Sequence, residues 1–177
     1  MSQVNFENRT VIVTGAGNGL GKAYALEFAN RGANVVVNDL GGSVDGTGEG
    51  STPADNVVNE IKESGGNAVA NYDSVATKEG GQNIVDTALE TFGGLDAVVN
   101  NAGILRDKSF LKMTEDDLNL VLDVHLKGTF YVCQPAFAHM KEKGYGRFVN
   151  VASPSGLFGN FGQLNYGAAQ MGIVGLT

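Results

Sequence analysis

The stretch Thr10-Val11-Ile12-Val13-Thr14 is short, β-branched and nearly all apolar, and it runs straight into Gly15-Ala16-Gly17-Asn18-Gly19-Leu20-Gly21. An apolar run without polar alternation suits a strand covered on both faces, the kind found in parallel sheets. Glycines between such a strand and a helix let the backbone come close to a ligand. The helix N-terminus behind them offers free N–H groups and a partial positive charge. The pattern therefore calls for a strand–loop–helix unit with an anion-binding corner. Its spacing from Gly15 is G-x-x-x-G-x-G rather than G-x-G-x-x-G, so its weight comes from its place between strand and helix. A plain flexible loop is the competing reading.

The same alternation continues down the chain. A helix is expected over 22–31, closed by Gly32, then a strand at 34–38. Thr52 and Pro53 open the next helix as cap and first helical residue; it closes at Gly65-Gly66. A strand at 67–71, a helix over 78–92 and a strand at 95–100 follow. A long helix should run from Thr114 to about Lys143. Glu115, Asp116 and Asp117 complement its dipole, and Pro135 is expected to kink it. A strand at 147–151 and a last helix from Gly162 complete the pattern. Strands alternating with helices mean βαβ crossovers: an α/β fold with a doubly wound parallel sheet in a three-layer αβα arrangement. No solenoid-period repeat and no splitting linker is present, so residues 1–177 read as one domain. The longest loop, Leu40 to Ser51, carries Asp45 and Glu49, which oppose an anion; it reads as a mobile surface loop.

Composition removes several function classes. The 26 glycines cluster in loops between apolar runs, so disorder is not their cause. The net charge of −7 argues against nucleic acid, which needs a basic face. Cys133, the one cysteine, excludes an internal disulfide and fits a reducing compartment. No apolar run approaches the ~18 residues of a membrane helix. Met1 to Asn8 lacks the basic and apolar regions of a signal peptide. No membrane partner, secretion or metal is expected.

A second signal follows the second strand. Asp39 lies 18 residues past Gly21, near the ~20 at which an acid meets the adenosine ribose. Its carboxylate would accept from the 2′- and 3′-hydroxyls and repel a 2′-phosphate, and no arginine sits beside it. The expected cofactor is NAD rather than NADP; a solvated turn aspartate is the alternative. Asp73, after the third strand, could accept from the adenine amine or cap a helix. Asn100-Asn101-Ala102-Gly103 ends the fourth strand at the same sheet edge, where ligands bind when strand order reverses.

Together with Ser153 and Tyr166, these segments resemble the short-chain dehydrogenase/reductase family. More specific strings are Val37–Gly42, Asn71–Val75, Asn101–Asp107, Val124-His125-Leu126 and Gly159–Gln163. They resemble the dehydrogenase units of type 2 peroxisomal multifunctional enzymes, which oxidise (3R)-3-hydroxyacyl-CoA to 3-ketoacyl-CoA with NAD in β-oxidation. The resemblance spans the chain. It implies a Rossmann-type fold, an NAD-dependent oxidoreductase and an acyl-CoA substrate. It also implies a homodimer or homo-oligomer formed through the helices after Thr114 and Gly162. The location implied is the peroxisome in a eukaryote and the cytoplasm otherwise. Tyr166 would be the base that takes the substrate hydroxyl proton, and Ser153 would hold the substrate oxygen. Gly15, Asn18, Gly19, Leu20 and Gly21 would hold the pyrophosphate and nearby ribose. Asp39 would select NAD, Asp73 and Ser74 would sit by adenine, and Asn100, Ala102 and Gly103 would line the groove.

The chain departs from the family pattern in three ways. The family lysine four residues after the tyrosine is Gln170 here. A free phenol ionises near pH ~10 and is a poor base at neutral pH. A lysine ammonium stabilises the anion; Gln170 can still donate to the nicotinamide ribose but carries no charge. A chemical step slowed by orders of magnitude is expected, and the alternative function is a catalytically impaired NAD-binding fragment or pseudoenzyme. His125 stands where many members carry an asparagine whose backbone carbonyl holds a relay water; that role survives the change, and a catalytic histidine is the alternative. The chain also stops at Thr177, so the domain is expected to be C-terminally truncated relative to the family, leaving the strand near Phe148 as an open sheet edge.

Overall fold

The computed structural model describes residues 4–177. Five parallel strands, β1 (Thr10–Thr14), β2 (Asn34–Asn38), β3 (Asn67–Asn71), β4 (Ala97–Asn100) and β5 (Arg147–Asn150), form one sheet in the order β3-β2-β1-β4-β5. The chain winds outward from β1 to β3, then crosses back to place β4 and β5 on the other side.

β1 lies at the centre and all its residues are buried. Successive side chains of a strand point to opposite faces, and the two faces feed separate cores. Val11 and Val13 pack with Ala25 and Ala29 of α1 (Gly19–Asn30) and with Val57 and Ile61 of α2 (Thr52–Glu63). Ile12 packs with Ile84 and Val85 of α3 (Lys78–Phe92) and with Val132 and Ala136 of α5 (Gly128–Lys143). A strand covered on both sides has no reason to alternate, and the expected three layers result.

Local chemistry sets several helix ends, although Ser51 rather than the expected Thr52 holds the N-cap position of α2 and makes no side-chain bond there. Thr77 caps α3 by accepting from the Gly80 N–H at 3.0 Å, and Gly93 closes it in the left-handed region (φ 75°). Thr114 and Asp117 cap α4 (Glu115–Leu122) reciprocally. α1 begins at Gly19, inside the glycine loop and earlier than the expected residue 22, because glycines carry no apolar periodicity. The long helix is helical from α4 to α5, but a π turn at Asp123–Lys127 interrupts its regular bonding. α5 continues through Pro135. The proline ring has no N–H for the Tyr131 carbonyl, and Gly81 of α3 packs against that oxygen: a Cβ there would lie 2.5 Å from it. α6 (Pro154–Phe158) and α7 (Leu164–Leu176) finish the chain, α7 starting just after the expected Gly162. Among the described residues β5 pairs with β4 alone, and Val149 on it is 51% exposed.

At the amino end of the sheet one buried carboxylate ties four elements. Asp96 accepts from the Thr10 N–H (2.9 Å), Arg9 (2.7 Å) and Lys143 (3.0 Å). Its own carbonyl accepts from the Arg147 N–H at 3.0 Å. Burial pushes the Asp96 carboxyl up, but the Thr10 amide, Arg9 and Lys143 outweigh it and hold the group below the usual carboxylate range. A depressed pKa stabilises the fold above the unfolded value of ~3.9 and loses that contribution as pH falls. Asp96→Ala is expected to cost about 2 kcal/mol at pH 7, because it leaves the buried Thr10 N–H without its acceptor and removes the partner of the half-exposed Arg9 and Lys143. Urea unfolding should show the deficit shrinking below about pH 4; a pH-independent deficit would contradict this account.

Candidate active site

The reversal of strand order between β1 and β4 leaves a crevice at the carboxyl ends of the strands, the usual ligand position in such sheets. Its volume is about 370 Å³. Loops after all of the first four strands contribute to it: Gly15, Asn18 and Gly19 after β1, Asp39 after β2, Asp73 and Ser74 after β3, and Asn101 to Ile104 after β4.

The glycines of the first loop do different jobs. At Gly15 a Cβ would lie 2.8 Å from Ala102 Cα, at Gly17 2.8 Å from the Asp39 carboxylate, and at Gly21 2.1 Å from the Gly15 carbonyl oxygen. These three let the protein pack against itself. Gly19 is different, since a Cβ there would meet nothing within 4 Å and the residue has φ +55°. Open space adjoins the first residue of α1. Asn18 holds the N-cap position without a side-chain bond to the helix, so first-turn N–H groups remain for a ligand. Such an end suits a diphosphate. Leu20 is exposed and Gly21 is buried in the α1 packing, and neither lines the crevice.

Asp39 is held by two backbone amides. Its Oδ2 accepts from the Gly17 N–H at 2.7 Å and its Oδ1 from the Gly41 N–H at 2.8 Å. Each oxygen keeps a further lone pair, which suits a pair of vicinal hydroxyls. Asp73 accepts from Asn71 (2.8 Å) and Asn83 (2.9 Å), so amides fix its carboxylate too. Helix capping is not its role, because Thr77 caps α3. Ser74 lines the crevice beside it while its hydroxyl accepts from the Ala76 N–H at 3.2 Å.

Asn101 staples the two central loops. Its side chain donates to the carbonyls of Thr14 (3.0 Å) and Gly15 (3.1 Å), while Thr14 Oγ1 accepts from the N–H groups of Asn101 (3.1 Å) and Ala102 (3.0 Å). Asn100 requires a correction. It is buried and donates to Asn150 Oδ1 (2.8 Å) and Cys133 Sγ (3.2 Å), facing β5 and α5 instead of the crevice. As the last residue of β4 its side chain falls, like that of Val98, on the face covered by α3 and α5, and Asn101, Ala102 and Gly103 form the wall.

Ser153 follows β5 on the same sheet edge and caps α6, its Oγ accepting from the Ser155 N–H at 3.2 Å. Tyr166 lies at the start of α7, its ring edge-on to His125 with centroids 5.2 Å apart. His125 sits in the π turn, where burial pushes its pKa below the ordinary value against a raising bond from Ile104. The ring is therefore neutral at pH 7. Its Nε2 is 2.9 Å from the Ile104 carbonyl oxygen and 3.0 Å from the Ile104 nitrogen; its Nδ1 is 3.0 Å from the Gln170 amide nitrogen. Both ring nitrogens are thus engaged inside the protein, which disfavours the catalytic-histidine alternative. Gln170 is a second correction. It is 2% exposed and bonded to His125, not placed along the crevice. An uncharged amide with a ring-nitrogen partner enters the α7–π-turn interface at far lower cost than an ammonium.

Residues 9–177 match the family model described as short chain dehydrogenase. The chain belongs to the short-chain dehydrogenase family. It is 59% identical over 174 residues to "Peroxisomal multifunctional enzyme A" of Dictyostelium discoideum, covering 98% of this chain and 39% of that protein. It is 57% identical over 175 residues to "Peroxisomal multifunctional enzyme type 2" of Mus musculus, covering 99% of this chain and 23% of that protein. The chain therefore spans well under half the length of these relatives. Among solved structures, a 7α-hydroxysteroid dehydrogenase complexed with NADH and 7-oxo glycochenodeoxycholic acid is 28% identical with a TM-score of 0.88, covering 97% of this chain and 64% of that one. The resemblance carried by the strings around Asp39, Asn101 and Tyr166 is upheld.

One part of the crevice escaped the sequence reading. The segment after Leu40, expected to be a mobile surface loop, folds over the crevice and supplies Gly42, Ser43, Val44 and Gly46 to its wall. The Leu105 N–H donates to the Val44 carbonyl at 2.9 Å and Arg106 Nε to the Asp45 carbonyl at 2.7 Å. Ser43 and Thr47 bond the Asp45 carboxylate and lower its pKa to about 2. The carboxylates at 45 and 49 argued against phosphate, but Ser43-x-Asp45-x-Thr47 is also the chemistry of a self-bonded turn, and that was the available signal. The Asp45 side-chain carbon, followed by NMR, should titrate with a midpoint near 2. A midpoint near ~4 would show the turn open in solution.

Proposed function

We propose that this chain is the dinucleotide-binding and catalytic portion of an NAD-dependent oxidoreductase. Its reaction is oxidation of the 3-hydroxyl of (3R)-3-hydroxyacyl-CoA to 3-ketoacyl-CoA, a step of fatty-acid β-oxidation. One observation carries the cofactor half of this reading: the open start of α1 at Gly19 and the amide-held Asp39 carboxylate border one crevice at the β1/β4 reversal. That arrangement fits a diphosphate on one side and a ribose diol on the other. A 2′-phosphate at Asp39 would bring like charges together. The relatives' names support the acyl-CoA half, and the neighbour complexed with NADH supports a nicotinamide cofactor.

Bound in the crevice, the dinucleotide supplies the nicotinamide ring that accepts hydride. The chain supplies the rest. Deprotonated, the Tyr166 phenol oxygen would take the proton of the substrate alcohol as hydride leaves the carbinol carbon and the carbonyl forms, and Ser153 Oγ would donate to the substrate oxygen and hold it. The Gly15–Gly21 loop and Asp39 anchor the remote end of the cofactor, so that binding energy fixes the reacting end. Residues 1–177 act as one domain in this reading. Exposed Phe130 and Phe137 on α5, with Met171 and Val174 on α7, support a homodimer through those helices. Peroxisomal location in a eukaryote follows the relatives' names; no described helix is long and apolar enough to cross a membrane.

A second reading has its own observation. Gln170 stands uncharged and buried where the family pattern carries lysine, so the phenol of Tyr166 lacks that cation. This favours a binding-competent chain with impaired chemistry. Calorimetric titration should show NAD binding at least about tenfold more tightly than NADP, with Asp39→Ala narrowing the gap; an equal or reversed preference would overturn the cofactor assignment. Single-turnover NADH formation from a 3-hydroxyacyl-CoA should rise about 10²-fold in Gln170→Lys, the scale of a restored acid–base group. Equal rates in parent and variant would remove the impaired reading.

A further inference from the structure

His125 Nε2 lies within bonding distance of both main-chain groups of Ile104, the nitrogen at 3.0 Å and the carbonyl oxygen at 2.9 Å. A neutral ring serves only one of them: an Nε2–H donates to the carbonyl, and a bare Nε2 accepts from the N–H. Which applies depends on Nδ1, and the group facing Nδ1 is the Gln170 amide, at 3.0 Å. The amide has two orientations. With its nitrogen toward Nδ1, one oxygen is left buried without a partner, and Gln170 Oε1 is indeed unpartnered. Turned over, it would leave two amide hydrogens stranded in the same buried place. The structure holds the first orientation, whose cost is an Ile104 N–H left facing a protonated Nε2.

We propose that Gln170 is a positioning residue: by donating to Nδ1 it fixes His125 as the Nε2–H tautomer, which holds the Ile104 carbonyl and with it one wall of the crevice. Two further contacts show how much of that wall rests on the ring. A Cβ on Gly103 would lie 2.4 Å from His125 Cε1, so the imidazole lies directly on the Gly103 backbone. Gly103 and Ile104 both line the crevice, and the Ile104 side chain in turn approaches Gly46 of the loop over it. The side chain at 170 therefore has a share in binding, through His125, that is separate from the charge a lysine would bring to Tyr166.

The inference rests on the proposed NAD site, and the experiment keeps the two apart. Long-range ¹⁵N NMR of the histidine rings, recorded without nucleotide, reads the tautomer directly; NAD affinity is measured separately. The parent should show His125 as the Nε2–H form. Gln170→Met, which fills similar space without a donor, should give a tautomer mixture and weaken NAD binding about fivefold, the scale of one lost hydrogen bond. Gln170→Lys, again a donor, should keep the Nε2–H form. An Nδ1–H form in the parent, or an unchanged tautomer in Gln170→Met, overturns the inference, and the parent spectrum decides it even if Gln170→Met fails to fold. Absence of NAD binding to the parent would instead overturn the site reading and leave the tautomer result standing.

Discussion

One hydroxyl and one amide hold the ends of β1 and β4 together. Thr14 Oγ1 accepts from the N–H groups of Asn101 and Ala102, and the Asn101 side chain returns bonds to the carbonyls of Thr14 and Gly15. These two strands are neighbours in the sheet but far apart in the chain, and at their junction the winding reverses. The loops that follow them would otherwise part freely. Stapled, they become the fixed floor of the crevice, and Gly15 can press on Ala102 only because it has no Cβ. The start of α1, the position of Asp39 and the Gly103–Ile104 wall all take their places from that junction.

The crevice is pre-formed around Asp39 and Asp73. The Asp39 and Asp73 carboxylates are each held by donors from the protein itself, so a ligand would find them oriented and would not bear the cost of ordering them. The segment over the crevice is ordered in the same way, by the Ser43–Asp45–Thr47 turn and by its bonds to Leu105 and Arg106. An acidic loop over an anionic ligand looks unfavourable from charge alone. Here the Asp45 carboxylate is satisfied within its own turn, and it is the Asp45 main-chain carbonyl that receives Arg106.

Behind the Gly103–Ile104 wall the side chains form a chain of contacts from Tyr166 to His125 and from His125 to Ile104. Gln170 joins this chain from behind. A lysine at this place would combine two functions, a donor for the neighbouring ring and a positive charge for the phenol. Glutamine keeps the first and lacks the second.

What the sequence by itself determined was everything that rests on local periodicity and capping. Those features are the unalternating run of β1, the glycine-bounded helices, the Thr114 cap with its acidic turn, and the place of Asp39 at the end of β2. Their causes lie within a few residues, so a linear reading captures them. The tertiary structure alone decided which way side chains face once strands pair: Asn100 turns toward β5 while Asn101 lines the crevice. It also decided that Gln170 meets His125, 45 residues away in the chain, and that a glycine-rich acidic loop folds inward onto Leu105 and Arg106. Each of these depends on partners brought together only by the βαβ crossovers, and no local pattern encodes the identity of a partner that distant. The π turn at Asp123–Lys127 belongs with them, because its sequence reads as ordinary helix and the different bonding appears only where His125 packs against Gly103 and Ile104.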